Sequence, residues 1–234
     1  MKFRFLILSI SGILSAQANA LAIDNMLYFI HKANSTKIEL INNESRKAFI
    51  KIGMSKIEVK DNSLHETELS SRNINDWNIT LTPSKTIMEP KQAKSISVHY
   101  NCFKNCDRAK DEIYKLSILP VPYGEDGKLT DVKLGFGFAP YVIVPAIDQN
   151  PSYSIKYTKD KKGIIFSNTG NTFLNAVIDI CKKEINKQCN ISHRMLPGRT
   201  KTFKLNDEVQ KLNSIKFYVV NYDESYKNIT VIHK

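Results

Sequence analysis

The chain has few of the features that mark membrane proteins or enzymes. After its first residues, no apolar run approaches the roughly 20 residues of a membrane-spanning helix. It lacks a Gly-x-Ser-x-Gly elbow, a phosphate-binding glycine loop and a His-Glu-x-x-His zinc helix, and its five histidines are dispersed. These absences predict a protein that is not an enzyme and needs no cofactor. The single tryptophan, Trp77, is too little for a sugar-stacking platform, and we interpret it as a core or sandwich-edge residue.

The N-terminus carries an export pattern. A charged start at 1–4 precedes an apolar run at 5–14, and Ala18-Asn19-Ala20 is a small-x-small cleavage motif. This pattern is typical of a secretory signal peptide, whose apolar part is too short to span a membrane. Ala20-Leu21-Ala22 is a second cleavage motif, so the cut after residue 20 or 22 stays open. We assign 1–22 to the signal peptide and expect an exported protein.

The charge balance is clearly basic. The chain has 34 Lys and Arg against 23 Asp and Glu, and loss of Lys2 and Arg4 with the leader lowers its formal charge from +11 to +9. A positive charge attracts nucleic acids, anionic membranes and acidic proteins. The lysines are scattered through alternating patterns, however, and do not concentrate on one helix or tail. They therefore indicate a solvated surface, and we expect no nucleic-acid partner.

Four cysteines form two local pairs, Cys102/Cys106 and Cys181/Cys189. An even count in an exported protein predicts two disulfides. The second pair would pin a hairpin, whereas the first requires a tight turn because bridged Cα atoms lie about 4.4 to 6.8 Å apart. His99 with Cys102 and Cys106 is an alternative metal site, since thiolate and imidazole bind soft metals. We favour the disulfides and predict no metal.

Short segments with period-two alternation recur along the mature chain, and no window shows a helical stripe. This pattern predicts an all-β fold. A mature length of about 210 residues suits two sandwiches of about 100 residues each. The stretch 145–151, with a proline at each end, is the best boundary, giving domains 23–146 and 147–234. The predicted strands are approximately 25–31, 36–42, 47–58, 77–82, 94–102, 112–119, 131–144, 154–157, 163–167, 174–181, 199–205 and 215–221.

The predicted strand over 131–144 differs from the others in its composition. Its alternate positions form a single apolar row spaced about 6 to 7 Å apart, and Gly135 and Gly137 lie between them. This row either lines the domain's own core or fills pockets in another protein. Glycine weakens a strand interior unless a backbone approaches closely, and an exposed apolar edge invites pairing. We call these four residues the apolar row: Val132, Leu134, Phe136 and Phe138.

Several segments, in order and spacing, carry a family resemblance. The chain resembles the chaperones of chaperone/usher pili, particularly the alternative class that serves colonisation-factor (alpha-type) fimbriae. The resemblance extends over the whole mature chain. The segments that carry it are 26–28, 49–52, 81–85, 89–90, 93–96, 112–116, 164–171, the Cys181/Cys189 pair and 196–198.

The resemblance implies a boomerang of two immunoglobulin-like domains in the periplasm. The seventh strand, approximately 131–144, would donate its apolar row to a pilus subunit that lacks its own last strand, and an outer-membrane usher would receive the subunit. Fimbrial subunits and the usher are thus the implied partners. Whether the free protein covers the row by self-association stays open.

The resemblance also implies a basic anchor for the subunit's terminal carboxylate, and the sequence departs from that pattern. Better-known members place one basic residue on the first strand and another late on the donating strand, but no Lys or Arg occurs from Leu134 to Ile155. Lys32, Lys115 and Lys133 are the nearest candidates. Lys115 is preferred because its strand should neighbour the donor.

A second class of protein is also secreted, β-rich and disulfide-bonded, namely a structural pilus subunit or adhesin. A polymerising subunit carries its donor strand at the mature N-terminus, whereas the apolar row here is internal. Residues 23–26 are too short and too polar to replace it. We therefore favour the chaperone interpretation.

Overall fold

The computed structural model describes residues 21–30, 34–102, 108–121, 136–179 and 190–234. In this part of the chain, the protein forms strands β1 to β17, one four-residue helix, α1 (Asp207–Gln210), and a short 3-10 helix over Ser71–Asp76. The predicted all-β class is thus confirmed.

The first sandwich consists of two sheets. One has the strand order β1-β3-β8-β6, and the other has the order β2-β10-β9-β4-β5, with β7 pairing with the first part of β4. The strands are β1 Leu21–Ile23, β2 Leu27–Phe29, β3 Ser35–Asn42, β4 Ala48–Lys60, β5 Ser63–Glu68, β6 Ile79–Thr82, β7 Lys85–Met88, β8 Ala93–Tyr100, β9 Glu112–Val121 and β10 Tyr141–Val144.

Alternating side chains fill the space between these two sheets. On β8, Ile96 and Val98 are completely buried, and on β9 Leu116 and Ile118 are too. The alternation in the sequence predicts these faces correctly. Because burial of a large apolar side chain contributes about 1.5 to 3 kcal/mol, this core is the main source of the domain's stability.

The second sandwich follows the same plan with fewer strands. Its sheets have the orders β11-β12-β15 and β14-β13-β16-β17. After β12, the buried Asn168 side chain donates to the carbonyls of Thr172 (2.8 Å) and Met195 (3.1 Å). The strands are β11 Tyr153–Tyr157, β12 Gly163–Asn168, β13 Leu174–Asp179, β14 Asn190–Met195, β15 Thr200–Lys204, β16 Ser214–Val220 and β17 Lys227–His233.

Several elements are absent from the sequence prediction. Strand β5 was missed because its six residues are all exposed and show no apolar alternation. Strands β1, β7, β14 and β17 and helix α1 were missed too. The predicted strand over 131–144 is too long in its described part, where regular pairing begins only at Tyr141 and an isolated bridge lies at Phe138. Pro140, between them, has no N–H group to donate.

No strand of the first sandwich pairs with one of the second among the described residues. The chain passes from one to the other after Val144 and before Tyr153. The domain limits of 23–146 and 147–234 stay a prediction. The contacts between the two sandwiches are described below.

One buried histidine lies in the second sandwich. His193 on β14 is 8% exposed, and its ring centroid lies 4.2 Å from that of Phe203. Its Nε2 has no hydrogen-bond partner among the described residues. Burial lowers the pKa of this imidazole, because the charged form loses its hydration.

The lowered pKa of His193 predicts a loss of stability in weak acid. The unfolded chain binds a proton as the pH falls through about 6.5, the ordinary histidine value, while the folded chain resists it. Stability therefore decreases below that pH. We expect His193→Phe to reduce the difference between the urea midpoints at pH 7.5 and pH 5, measured by circular dichroism. His233→Phe, which changes an exposed side chain, should leave that difference as in the wild type. Equal pH dependence in wild type and His193→Phe would contradict the assignment.

Candidate functional site

From Val144 back to Phe136, the even-numbered side chains become gradually more exposed. Val144 and Val142 are completely buried, Phe138 is partly buried against the same core, and Phe136 is 86% exposed. Successive even positions of a strand share one face. Phe138 and Phe136 therefore extend the core-facing side chains of β10 beyond the edge of the core.

The pairing with β9 keeps this extension in register. Val142 lies opposite Tyr114, and Phe138 lies opposite Ile118, four residues further along each strand in opposite directions. Phe138 and Ile118 exchange two backbone hydrogen bonds, of 2.9 and 2.8 Å, and Leu116 donates to the carbonyl of Pro140 (2.9 Å). The segment is thus held on β9 although regular strand geometry is interrupted.

The other backbone edge of this segment is open. In the antiparallel pattern the groups of Phe138 point toward β9, so those of Gly137 and Ala139 point away from it. Tyr141 donates to the carbonyl of Met26, but the amides of Gly137 and Ala139 make no hydrogen bond among the described residues. An unpaired strand edge can accept another strand.

The crossing of the N-terminal chain explains this open edge. Strand β1 pairs with β3 in one sheet, whereas β2 pairs with β10 in the other. The chain therefore changes sheets between Ile23 and Leu27. As a result, β2 covers β10 only from Tyr141 to Ile143 and no further toward Phe136.

Phe136 is the most exposed of the large apolar side chains in the described part of the chain. The alternative that the row lines the protein's own core accounts in part for Phe138 but not for Phe136. Val132 and Leu134, the other two members of the row, lie outside the described residues, as does Gly135. Their predicted role in subunit binding stays a prediction, as does that of Phe136 and Phe138.

Gly137 lies where another backbone approaches closely. A β-carbon at this position would lie 2.4 Å from the carbonyl oxygen of Ile118 and 2.7 Å from Leu119 Cδ2. Only glycine avoids this contact without a shift of the backbone. The close backbone approach that glycine indicates thus occurs with the protein's own strand β9.

Lys115 does not share a face with the apolar row. It lies on β9 between the buried Tyr114 and Leu116, so its side chain is on the outer face of the sheet. There it forms an ion pair with Glu66 of β5, and that hydrogen bond lowers the pKa of the Glu66 carboxyl. A subunit carboxylate would have to displace Glu66 from Lys115. Lys32 and Lys133, the other predicted anchors, lie outside the described residues.

Cys102 forms a disulfide and packs against the first core. Cys106, Cys181 and Cys189 lie outside the described residues, so the two predicted pairings stay predictions. The disulfide removes the thiolate that a metal site with His99 would need. Within the described ranges, no group of three or more His, Cys, Asp or Glu side chains is placed to hold a metal ion. No helix in those ranges is long and apolar enough to span a membrane.

Three aromatic rings connect the two sandwiches beside strand β2. Phe29 of β2 contacts Phe173 at 5.3 Å and Tyr222 at 5.2 Å between ring centroids. Sequence reasoning missed this cluster because neither alternation nor spacing relates residues so far apart in the chain. The rings border a groove between the domains that is also lined by Asn25, Leu27, Asn175, Arg194, Val220, Asn221 and Glu224.

The two packed β-sandwiches define a protein with two immunoglobulin-like domains. The chain belongs to the family of the CS5 fimbrial protein N-terminal domain, whose model matches residues 23–145, just over half of the chain. A search of curated proteins finds no match to this sequence.

Solved structures of pilus chaperones have the same fold. The class 5 fimbriae chaperone CfaA is 17% identical with a TM-score of 0.54, and the match covers 92% of this chain and 99% of that one. A Salmonella enterica structure of the SafA pilin in complex with the SafB chaperone gives 12% identity, a TM-score of 0.57 and coverages of 92% and 95%. The predicted fold class is thus confirmed, and so is the predicted resemblance.

The close contact at Gly137 predicts a cost for any added side chain. In Gly137→Ala the new methyl group would meet the Ile118 carbonyl, so we expect a loss of about 1 to 3 kcal/mol in the free energy of unfolding. The matched control is Gly53→Ala on β4, where the added carbon would lie 3.8 Å from Ser117 Cβ, an ordinary contact. Urea denaturation measures both. If the two variants were equally stable, the segment at Phe138 would not be held against β9.

Proposed function

We propose that this protein is a non-catalytic periplasmic chaperone that binds fimbrial subunits by strand donation and delivers them to an outer-membrane usher. The observation that carries the proposal is the segment 136–139, which we call the donor segment. Here the exposed side chain of Phe136 coincides with backbone amides that have no hydrogen-bond partner among the described residues. Membership of a fimbrial protein family supports it. So do similar solved structures, among them a chaperone-tip adhesin complex and a pilin in complex with its chaperone.

The physical chemistry of an unfinished sandwich matches this segment. A sandwich that lacks one strand exposes apolar pockets and an unpaired strand edge, and both promote aggregation. A guest strand alongside the chaperone segment would receive hydrogen bonds from Gly137 and Ala139, while Phe136 filled a pocket. Each large apolar side chain that becomes buried contributes about 1.5 to 3 kcal/mol. Because Phe138 is already partly buried in the protein's own core, the other three members of the row would contribute about 5 to 9 kcal/mol before the costs of association.

The alternative of a polymerising pilus subunit receives no such support. A subunit needs a free N-terminal strand to donate, whereas Leu21–Ile23 is already paired with β3 in the protein's own sheet. The exposed Phe136 lies inside the chain and precedes the second sandwich.

Phe136 allows a direct test, because its side chain is exposed and contributes little to the protein's own core. We expect Phe136→Asp to remain folded but to bind at least about tenfold more weakly to the pilin-like protein encoded nearest this gene. Periplasmic co-expression and co-purification give the yield of complex, and titration of refolded subunit gives its affinity.

Ile74→Asp is the matched control for Phe136→Asp. Ile74 is also a large exposed apolar residue, at 59%, but it lies in the 3-10 helix outside the donor segment. This variant should bind the subunit like the wild type. Strand donation through this row is wrong if Phe136→Asp also binds with wild-type affinity, or if both variants lose binding equally.

The burial and pairing of strand β1 predict where the signal peptide is cleaved. Leu21 is 7% exposed, belongs to the first core and pairs with Asn42. A cut after Ala22 would remove it, whereas a cut after Ala20 leaves β1 complete. We therefore propose that the mature chain begins at Leu21. Intact-mass spectrometry of protein from a bacterial periplasm would give this N-terminus, and a mature chain that begins at Ile23 would contradict it.

A further inference from the structure

A buried carboxylate joins three parts of the chain between the two domains. Asp111, the residue before β9, is 6% exposed. Its Oδ1 accepts a hydrogen bond of 2.8 Å from the amide of Ala146, which lies in the connection between the sandwiches. Its Oδ2 accepts one of 2.6 Å from the amide of Phe173 and one of 3.4 Å from the hydroxyl of Thr172, both in the second sandwich.

Further hydrogen bonds around Asp111 complete a compact network between the two domains. The amide of Asp111 donates to the carbonyl of Asn171 (2.9 Å), and the Asn171 side chain donates to the carbonyls of Ala109 and Asp148 (2.7 Å each). Arg108 donates to the carbonyl of Pro145 through Nε and Nη2. We call this set the interdomain knot, formed by residues 108–111, 145–148 and 171–173.

The position of Asp111 in the fold links this knot to the donor segment. The next residue, Glu112, pairs with Val144 at the end of β10, and β9 then runs to Ile118 opposite Phe138. One strand therefore connects the carboxylate to the apolar row. A rotation of the second domain about Asp111 would change its position relative to Phe136.

We infer that Asp111 is a positioning residue that sets the orientation of the second domain relative to the apolar row. Hydrogen bonds are directional, so a carboxylate that accepts from two backbone amides on different segments fixes their angle as well as their distance. For subunit binding, the inference rests on the function proposed above. For the orientation of the domains, it stands without that function.

Outside the interdomain knot, the contacts between the domains among the described residues do not fix an angle in this way. The cluster of Phe29, Phe173 and Tyr222 is an apolar contact, which keeps surfaces together but has little directional preference. The tip of the β4–β5 hairpin reaches the second domain through Asn62, whose backbone and side-chain oxygens accept from Arg199 and Thr200. These bonds are exposed and compete with water. Loss of Asp111 would therefore loosen the angle without separating the domains.

A neighbouring carboxylate provides a matched control. Glu112 is also buried, at 9% exposed, but it accepts its hydrogen bonds from the hydroxyls of Tyr100 (3.1 Å) and Tyr114 (2.6 Å), both in the first sandwich. Glu112→Gln changes a buried acid at the adjacent position without changing a contact between the domains.

Residual dipolar couplings of the full mature chain test the orientation directly. In the wild type and in Glu112→Gln, the couplings of both domains should fit one alignment tensor. In Asp111→Ala we expect two different tensors, because the second domain samples several orientations. Asn171→Ala is a second variant, which removes the two side-chain bonds across the knot and serves if Asp111→Ala does not fold. A single common tensor in each folded variant of the knot would overturn the inference.

Subunit binding gives the functional result. If the competent orientation falls to about one tenth of the population, the apparent affinity for the pilin falls about tenfold. Glu112→Gln should bind like the wild type, and wild-type affinity in Asp111→Ala with two tensors would overturn the link to binding. If the wild type itself binds no subunit, the proposed function fails, while the couplings still decide the role of Asp111.

Discussion

The reciprocal backbone hydrogen bonds between Phe138 and Ile118 hold the donor segment on its neighbour. Because the pair lies in the register of β9 and β10, the even positions of the segment face the same way as Val142 and Val144. Without this pairing the segment would be free to twist, and the direction of Phe136 would be undefined. The pairing within the protein's own sheet therefore determines the face to which Phe138 and Phe136 point.

Two further features depend on that pairing. Gly137 allows the segment to approach β9 closely, since any side chain would meet the Ile118 carbonyl. The change of sheet between Ile23 and Leu27 then leaves the opposite backbone edge open at Gly137 and Ala139. The segment is thus attached closely to β9 on one side, and on the other side no strand of the described residues pairs with it. This arrangement suits a partner that contributes a strand of its own.

The sequence predicted the features that depend on local alternation. The buried faces of β8 and β9, for example, follow from period-two patterns. Contacts between distant segments could not be predicted in this way. The knot at Asp111 joins residues up to 62 positions apart, and a single aspartate before a strand has no distinctive pattern. Strand β5 was invisible for a different reason, because an exposed polar edge strand lacks the alternation that burial imposes.

The candidate site was predicted in part for the same reason. The alternation identified Phe136 and Phe138, and it could not tell which of them the protein's own core would cover. That difference depends on where the opposing sheet ends. For Lys115 the sequence predicted the strand but not the interaction. Its partner, Glu66, lies on β5, the strand that the sequence did not reveal.

The gradual exposure from Val142 through Phe138 to Phe136 has a consequence for selectivity. If the proposed function holds, Phe138 and Phe136 would belong to two cores in succession, first the protein's own and then that of a guest. The pairing of Phe138 with Ile118 would then set the phase of the segment, and the guest could not adjust it. A one-residue slip would turn every apolar side chain to the wrong face. A guest whose pockets matched the odd-numbered positions of the segment would therefore be rejected by geometry alone, whatever specific contacts it could make.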